Sequence, residues 1–337
     1  MAWGLLLLAV VLAVLGVALV AATVAVMAWS LLRPPRMTDG KAAWLLQRLS
    51  PGDLNMPYED AHFTVRDLRT GEALRLAAWW VPCPAARGHS SERCVVLLHG
   101  YADAKVGAIA WAPVWHKLGF NILALDHRAH GESQGRESTA GYYERHDVDQ
   151  VVSQLRAERP AATRHVVLFG ASLGAAVAVA TAALRDDLAA VVLESPYTDF
   201  RAAARTHMDL LGLPGGLLQS AALRLAEWLA AADFDALDTA ELLRSVRCPV
   251  LVIAPAEDVF LGAQGFAALE SALAERPPGA GAAELWRVHA AGHLLGVHAD
   301  FDAYAGRLAS FLGRSLGGSP SESTATTSYS EIAVPRE

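Results

Sequence analysis

The chain has 337 residues, longer than a typical domain of about 100 to 150 residues but within the range of single α/β domains. With 53% hydrophobic and 19% charged residues it is too apolar for global disorder, and a formal net charge of -7 lacks the basic surplus that a nucleic-acid partner requires. The three cysteines Cys83, Cys94 and Cys248 are odd in number and form no C-x-x-C pair, which excludes a disulfide framework and a zinc ribbon but leaves a Cys83 to Cys94 bridge open.

Residues 1–32 read as a transmembrane helix. From Ala2 to Leu32 there is no charged side chain, and Trp3 and Trp29 stand near the two ends. At 1.5 Å per residue the run reaches roughly 45 Å against a hydrocarbon core of roughly 30 Å, so tilt or frayed ends are expected to absorb the excess. A cleaved signal peptide needs a charged leading segment and an apolar stretch of only about 7 to 15 residues, so an uncleaved single-pass anchor is favoured. Arg33, Arg36 and Lys41 follow the run, which by the positive-inside rule favours a cytoplasmic main domain. Pro34 and Pro35 stop the helix, and residues 33–60 read as a linker with one amphipathic stretch, Ala42 to Leu49.

The main domain, 61–316, comes next. Ala61 to Arg66 and Leu74 to Val81 alternate as an antiparallel edge hairpin. Arg93 to His99, Asn121 to Asp126, His165 to Gly170, Ala189 to Glu194, Val250 to Ala254 and Glu284 to Val288 are short, continuously apolar runs that suit buried parallel strands. Helical patterns at Ala104 to Leu118, Tyr142 to Glu158, Leu173 to Arg185, Ala263 to Glu275 and Asp300 to Leu312 alternate with them. The expected fold is a doubly wound, mostly parallel α/β sheet, interrupted at about 196–246 by a helical cap. Residues 317–337, rich in Ser and Thr, read as a disordered tail. All the motifs that carry chemistry lie after Ala61, so the anchor is expected to contribute location only.

Gly170, Ala171, Ser172, Leu173 and Gly174 form a G-x-S-x-G that closes a predicted strand and opens an Ala-rich helix, the context of a nucleophile elbow. A serine hydroxyl needs a base to take its proton and a third group to orient that base. Asp258 follows the predicted strand Val250 to Ala254, and His293 follows Glu284 to Val288. The order Ser172, Asp258, His293 is therefore the expected catalytic set, with Glu257 as rival acid and His289 and His298 as rival bases. The strand Val95 to Leu98 ends in His99, Gly100 and Tyr101. The backbone N–H groups of Tyr101 and Leu173 are the expected oxyanion donors, and His99 is expected to be structural.

With these motifs in order, the chain resembles the α/β-hydrolase superfamily, in particular its monoacylglycerol-lipase-like and serine-aminopeptidase-like branch, over residues 61–315. Asp126, His127, Arg128, Ala129, His130, Gly131, Glu132 and Ser133 resemble that branch's D-x-R-G-x-G-x-S turn, followed by Gly141, Glu144 and Asp147 as scaffold. Ala129 departs from the usual glycine, and Pro255 stands where a glycine usually precedes the acid. The resemblance implies an α/β-hydrolase fold, no cofactor, and a cap over the site. The activity expected is cleavage of carboxylic esters, including lipid esters or thioesters, by an anchored enzyme. The alternatives are a serine-aminopeptidase-like amidase and a catalytically silent, membrane-tethered binding module. No H-E-x-x-H or phosphate-cradling motif supports a metal or nucleotide reading.

Overall fold

A computed structural model describes residues 2–84, 90–289 and 291–316; the expected tail at 317–337 lies outside the described residues. The charge-free N-terminal run is one helix, α1 (Ala2–Leu32), followed by a short helix α2 (Asp39–Leu45) that Thr38 caps. Then come β1 (Glu59–Arg66), β2 (Ala73–Val81), β3 (Arg93–Leu98), α3 (Lys105–Ala108), α4 (Ala112–Lys117), β4 (Asn121–Leu125) and α5 (Glu144–Glu158). The chain continues through β5 (His165–Ala171), α6 (Leu173–Ala182), β6 (Ala190–Glu194), α7 (Phe200–Leu210), α8 (Leu217–Ala230) and α9 (Thr239–Leu243). It ends with β7 (Val250–Pro255), α10 (Gly262–Ala274), β8 (Ala283–Val288), α11 (Gly296–Ala299) and α12 (Phe301–Leu316).

The strands form one eight-stranded sheet in the order β1-β2-β4-β3-β5-β6-β7-β8. β1 pairs antiparallel with β2, and β2 antiparallel with β4, whereas every later pairing is parallel. The chain visits β4 on one side of β3 and then crosses to β5 on the other. That reversal opens a crevice beyond the carboxyl ends of β3 and β5, where open α/β sheets place their sites. Both faces of the sheet are covered. Val148, Val151, Val177, Leu243 and Phe266 pack on one face, and Val114, Trp115, Tyr304, Leu308 and Phe311 on the other.

Three features depart from the expectations or decide what they left open. The helix expected over Ala104 to Leu118 is broken into α3, a 3-10 turn at Ile109–Trp111, and α4. Pro113 explains the break, because it cannot donate an amide hydrogen bond inside a helix but fits the first turn of α4. The three cysteines are free, so Cys83 and Cys94 form no bridge.

The third concerns the N-terminal helix and the expected linker, whose residues pack on the domain. Residues 2–22 of α1 are exposed throughout, whereas Met27, Ala28 and Leu32 are buried in a cluster with Phe200, Leu223, Ala226 and Phe234. The last turns of α1 thus lie along α8. Beyond it, Arg36 donates to the carbonyls of His130, Gly131, Ser133 and Gly135 at 2.7 to 3.3 Å, and Arg33 pairs with Glu137. Two of the cations counted toward membrane orientation are therefore bound within the fold.

Candidate active site

The turn from β5 to α6 is sterically compelled. Ser172 has φ 54° and ψ -114°, a strained backbone that its neighbours must hold in place. A Cβ on Gly170 would lie 2.0 Å from the Gly174 carbonyl oxygen, and a Cβ on Gly174 would lie 2.1 Å from that of Leu98. Only glycine at both positions lets α6 start this close to β3 and β5, and the Ser172 amide is pinned to the Glu194 carbonyl at 3.0 Å. The serine side chain is lifted above the carboxyl edge of the sheet.

Two further strand ends converge on it. Asp258 lies just beyond β7, buried, with Oδ1 accepting the Phe260 amide at 2.9 Å and Oδ2 2.8 Å from His293 Nδ1. His293 Nε2 is 3.0 Å from Ser172 Oγ. An ionised Asp258 can only accept, so it sets the tautomer with hydrogen on Nδ1 and leaves Nε2 free to accept from the serine. The Phe260 ring packs 4.6 Å from the imidazole and limits its rotation. The rivals are separated by geometry: Glu257 is exposed, and the hydrogen bonds to Ser172 and Asp258 come from His293, not from His289 or His298. Pro255 ends β7 and accepts the Asp258 amide in a tight turn, so it fits where a glycine is usual.

Above β3, the His99 ring is buried, with Nδ1 2.7 Å from the Gly100 carbonyl and Nε2 accepting the His127 amide at 3.0 Å. Burial pushes its pKa well below the ordinary imidazole value, so it is a neutral strut for the turn. Gly100 packs against the serine, since a Cβ there would meet Ser172 Cβ at 3.5 Å. Among the described residues the amides of Tyr101 and Leu173 have no hydrogen-bond partner. The Tyr101 ring stands edge-on to His207 of α7 at 5.6 Å, and its phenol shares its one proton between the carbonyls of Ser30 and Leu31. Beside this turn, Pro35, Met37, Trp44, Leu45 and Ala102 line a groove of about 450 Å³.

The scaffold turn after β4 is a buried charge web. Asp126 accepts the Lys105 amide and ammonium and the Glu132 amide, and Arg128 grips Asp147 through two nitrogens and Asp67 through a third. Ala129 has φ 62°, so the position that usually carries glycine keeps the left-handed backbone here.

The structure adds residues that the motifs did not reveal. Ser195 Oγ accepts the Leu294 amide at 2.9 Å, fixing the residue after His293. Glu194 is fully buried, and Tyr304 donates to its Oε2 at 2.9 Å. A Cβ on Gly296 would sit 2.5 Å from its Oε1, so the loop carrying His293 is moulded around this carboxyl. Burial raises the Glu194 pKa to about 8. A lone acid at a strand end carries no sequence signal of such a role; only its place at the carboxyl edge of the sheet hinted at it.

The sheet order, the elbow and the converging strand ends define an α/β-hydrolase fold, and the comparisons support that superfamily. Residues 89–232 match the family model described as serine aminopeptidase, S33. An uncharacterized protein of Mycobacterium tuberculosis strain H37Rv is 30% identical over 208 residues, 62% of this chain and 66% of that one. The α/β hydrolase domain-containing protein WAV2 of Arabidopsis thaliana is 26% identical over 216 residues, 62% of this chain and 65% of its own. The matched stretch thus spans a little under two thirds of these relatives. Among solved structures, the Pyrococcus furiosus esterase Pf2001 superposes with a TM-score of 0.65 at 24% identity, covering 84% of this chain and 100% of that one.

Proposed function

We propose that the protein is a single-pass, membrane-anchored serine hydrolase that cleaves carboxylic esters through an acyl-enzyme on Ser172. The observation that carries this reading is the continuous relay from Asp258 through His293 to Ser172, beside the turns that carry two amides without a hydrogen-bond partner among the described residues. In this mechanism the Ser172 oxygen attacks the ester carbonyl while its proton passes to His293 Nε2, and Asp258 stabilises the resulting imidazolium. The tetrahedral oxyanion is received by the Tyr101 and Leu173 amides, a contribution worth about 3 kcal/mol per donor in serine hydrolases. The C–O bond then breaks, the alcohol leaves with the proton from His293, and water repeats the sequence on the acyl-enzyme to release acid and free serine. No cofactor enters any step.

α1 supplies the anchor, being long and apolar enough to cross a bilayer. The cytoplasmic placement of the catalytic domain rests on the cations that follow α1, of which Arg33 and Arg36 are also paired within the fold. The match to the serine aminopeptidase family favours a second reading in which the scissile bond is an amide. A panel of p-nitrophenyl esters, acylglycerols, acyl thioesters and aminoacyl amides, run on wild type and Ser172→Ala, separates the two. The ester reading expects Ser172-dependent turnover to be at least tenfold faster on oxygen esters than on any amide. Faster turnover of an aminoacyl amide would move the assignment to a peptidase, and no Ser172-dependent turnover of any substrate would leave a binding module.

A further inference from the structure

Two lengths relate the domain to a bilayer. The fully exposed part of α1, residues 2–22, rises about 31 Å, the thickness of a hydrocarbon core of roughly 30 Å. If that part fills the core, the membrane surface falls near Thr23, and the cap begins there, because α8 packs along the buried turns that follow. The cap also carries a cluster of exposed apolar side chains. Its α7–α8 connection, Leu210 to Leu218, contains no charged residue, and Leu210, Leu211 and Leu217 are 64%, 63% and 88% exposed. Asp209 and Arg224 bracket this patch, and Trp228, 75% exposed, continues it along α8. Leucines flanked by Arg and Trp are the composition of a segment lying in the bilayer interface. Such a patch facing water would be an aggregation liability.

We infer that the α7–α8 connection is a second membrane contact, seated in the leaflet that α1 leaves and holding the cap against the bilayer. The inference rests on the reading of α1 as a membrane span. It also brings the site close to lipid: from Thr23 to Leu31 is about 12 Å along α1, and the Leu31 carbonyl is already held by Tyr101. An ester drawn partly out of the leaflet would therefore need to travel only about the length of one leaflet's acyl chain, roughly 15 Å.

The test places a nitrobenzoxadiazole fluorophore on single cysteines of the full chain, reconstituted in phosphatidylcholine vesicles. Cys83 is replaced by serine, and the buried Cys94 and Cys248 are left in place. The positions are Leu217→Cys in the cap, Leu12→Cys in α1, and Leu184→Cys past the far end of α6. Lipids brominated on their acyl chains are expected to quench the first two at least twofold and to leave Leu184→Cys unchanged. Quenching at Leu12→Cys with none at Leu217→Cys would overturn the cap contact while leaving the anchor intact. Absence of quenching at Leu12→Cys would overturn the anchor and the inference together.

Discussion

The Tyr101 phenol lies 3.1 and 3.0 Å from the carbonyls of Ser30 and Leu31 and shares its one proton between them. Carbonyls in the last turn of a helix have no intrahelical partner, so Tyr101 caps α1 with its side chain, while its amide is the proposed oxyanion donor. The apolar N-terminal helix and the oxyanion turn are thereby one mechanical unit. Tyr101→Phe keeps the amide but removes the cap. It is expected to cost about 1 kcal/mol of stability and to lower turnover of a soluble ester a few-fold, read by urea denaturation and steady-state kinetics.

Arg36 makes the same unit firmer from the other side. Its guanidinium bonds four carbonyls of the turn after β4, and charge-assisted bonds are worth more than neutral ones. Arg36→Ala is expected to lose about 2 to 4 kcal/mol in denaturant unfolding. A chain beginning at Lys41 should share that loss, whereas one beginning at Arg33 should be spared most of it. Equal stability of the two truncations would refute the role given to Arg36.

The relay predicts which side chains matter. Ser172→Ala and His293→Ala should each lower esterase kcat by about a thousandfold or more without changing the melting temperature by more than a few degrees. Asp258→Ala should be severe and Glu257→Ala mild, because Asp258 holds the imidazole and Glu257 is exposed. His289→Ala and His298→Ala should keep near wild-type kcat. A dead His298 variant would reassign the base.

Gly174→Ala tests the steric argument. Its Cβ would need to occupy a point 2.1 Å from the Leu98 carbonyl, which lies in the sheet interior and cannot yield like a side chain. The expected loss is about 3 kcal/mol or more, with activity falling in parallel as the elbow shifts. Thermal unfolding unchanged from wild type would contradict the packing.

Glu194 gives stability a direction with pH. Its folded pKa, about 8, is above the ordinary carboxyl value of 4.5, so the folded protein holds a proton there that the unfolded chain has lost. Stability should therefore be full below pH 4.5 for this group and decline as pH rises through 8. Glu194→Gln, which is neutral at every pH, should flatten that decline. Melting curves from pH 5 to 9 that fall equally in both proteins would show that another group is responsible.

What could be read in the sequence was what sterics or reaction chemistry writes in residue types. Gly170 and Gly174 are visible because no other residue fits, and the alternating apolar runs are visible because parallel strands are buried on both faces. The choice between Glu257 and Asp258 was beyond sequence, since a shift of one residue in a turn decides which carboxyl points inward. The docking of α1 on the cap was equally hidden: Met27, Ala28 and Leu32 are as suitable for lipid as for protein, and hydropathy does not tell the two partners apart. Arg36 read as an orientation signal because its backbone partners lie about a hundred residues away.

Covalent capture reports directly on whether Ser172 is an activated nucleophile. Full-length protein in detergent is treated with a fluorophosphonate, digested, and mapped by mass spectrometry. Stoichiometric modification is expected on Ser172, absent in Ser172→Ala and slowed at least a hundredfold in His293→Ala. A folded wild-type protein that takes up no probe, or takes it up on another serine, would rule out Ser172 as the nucleophile.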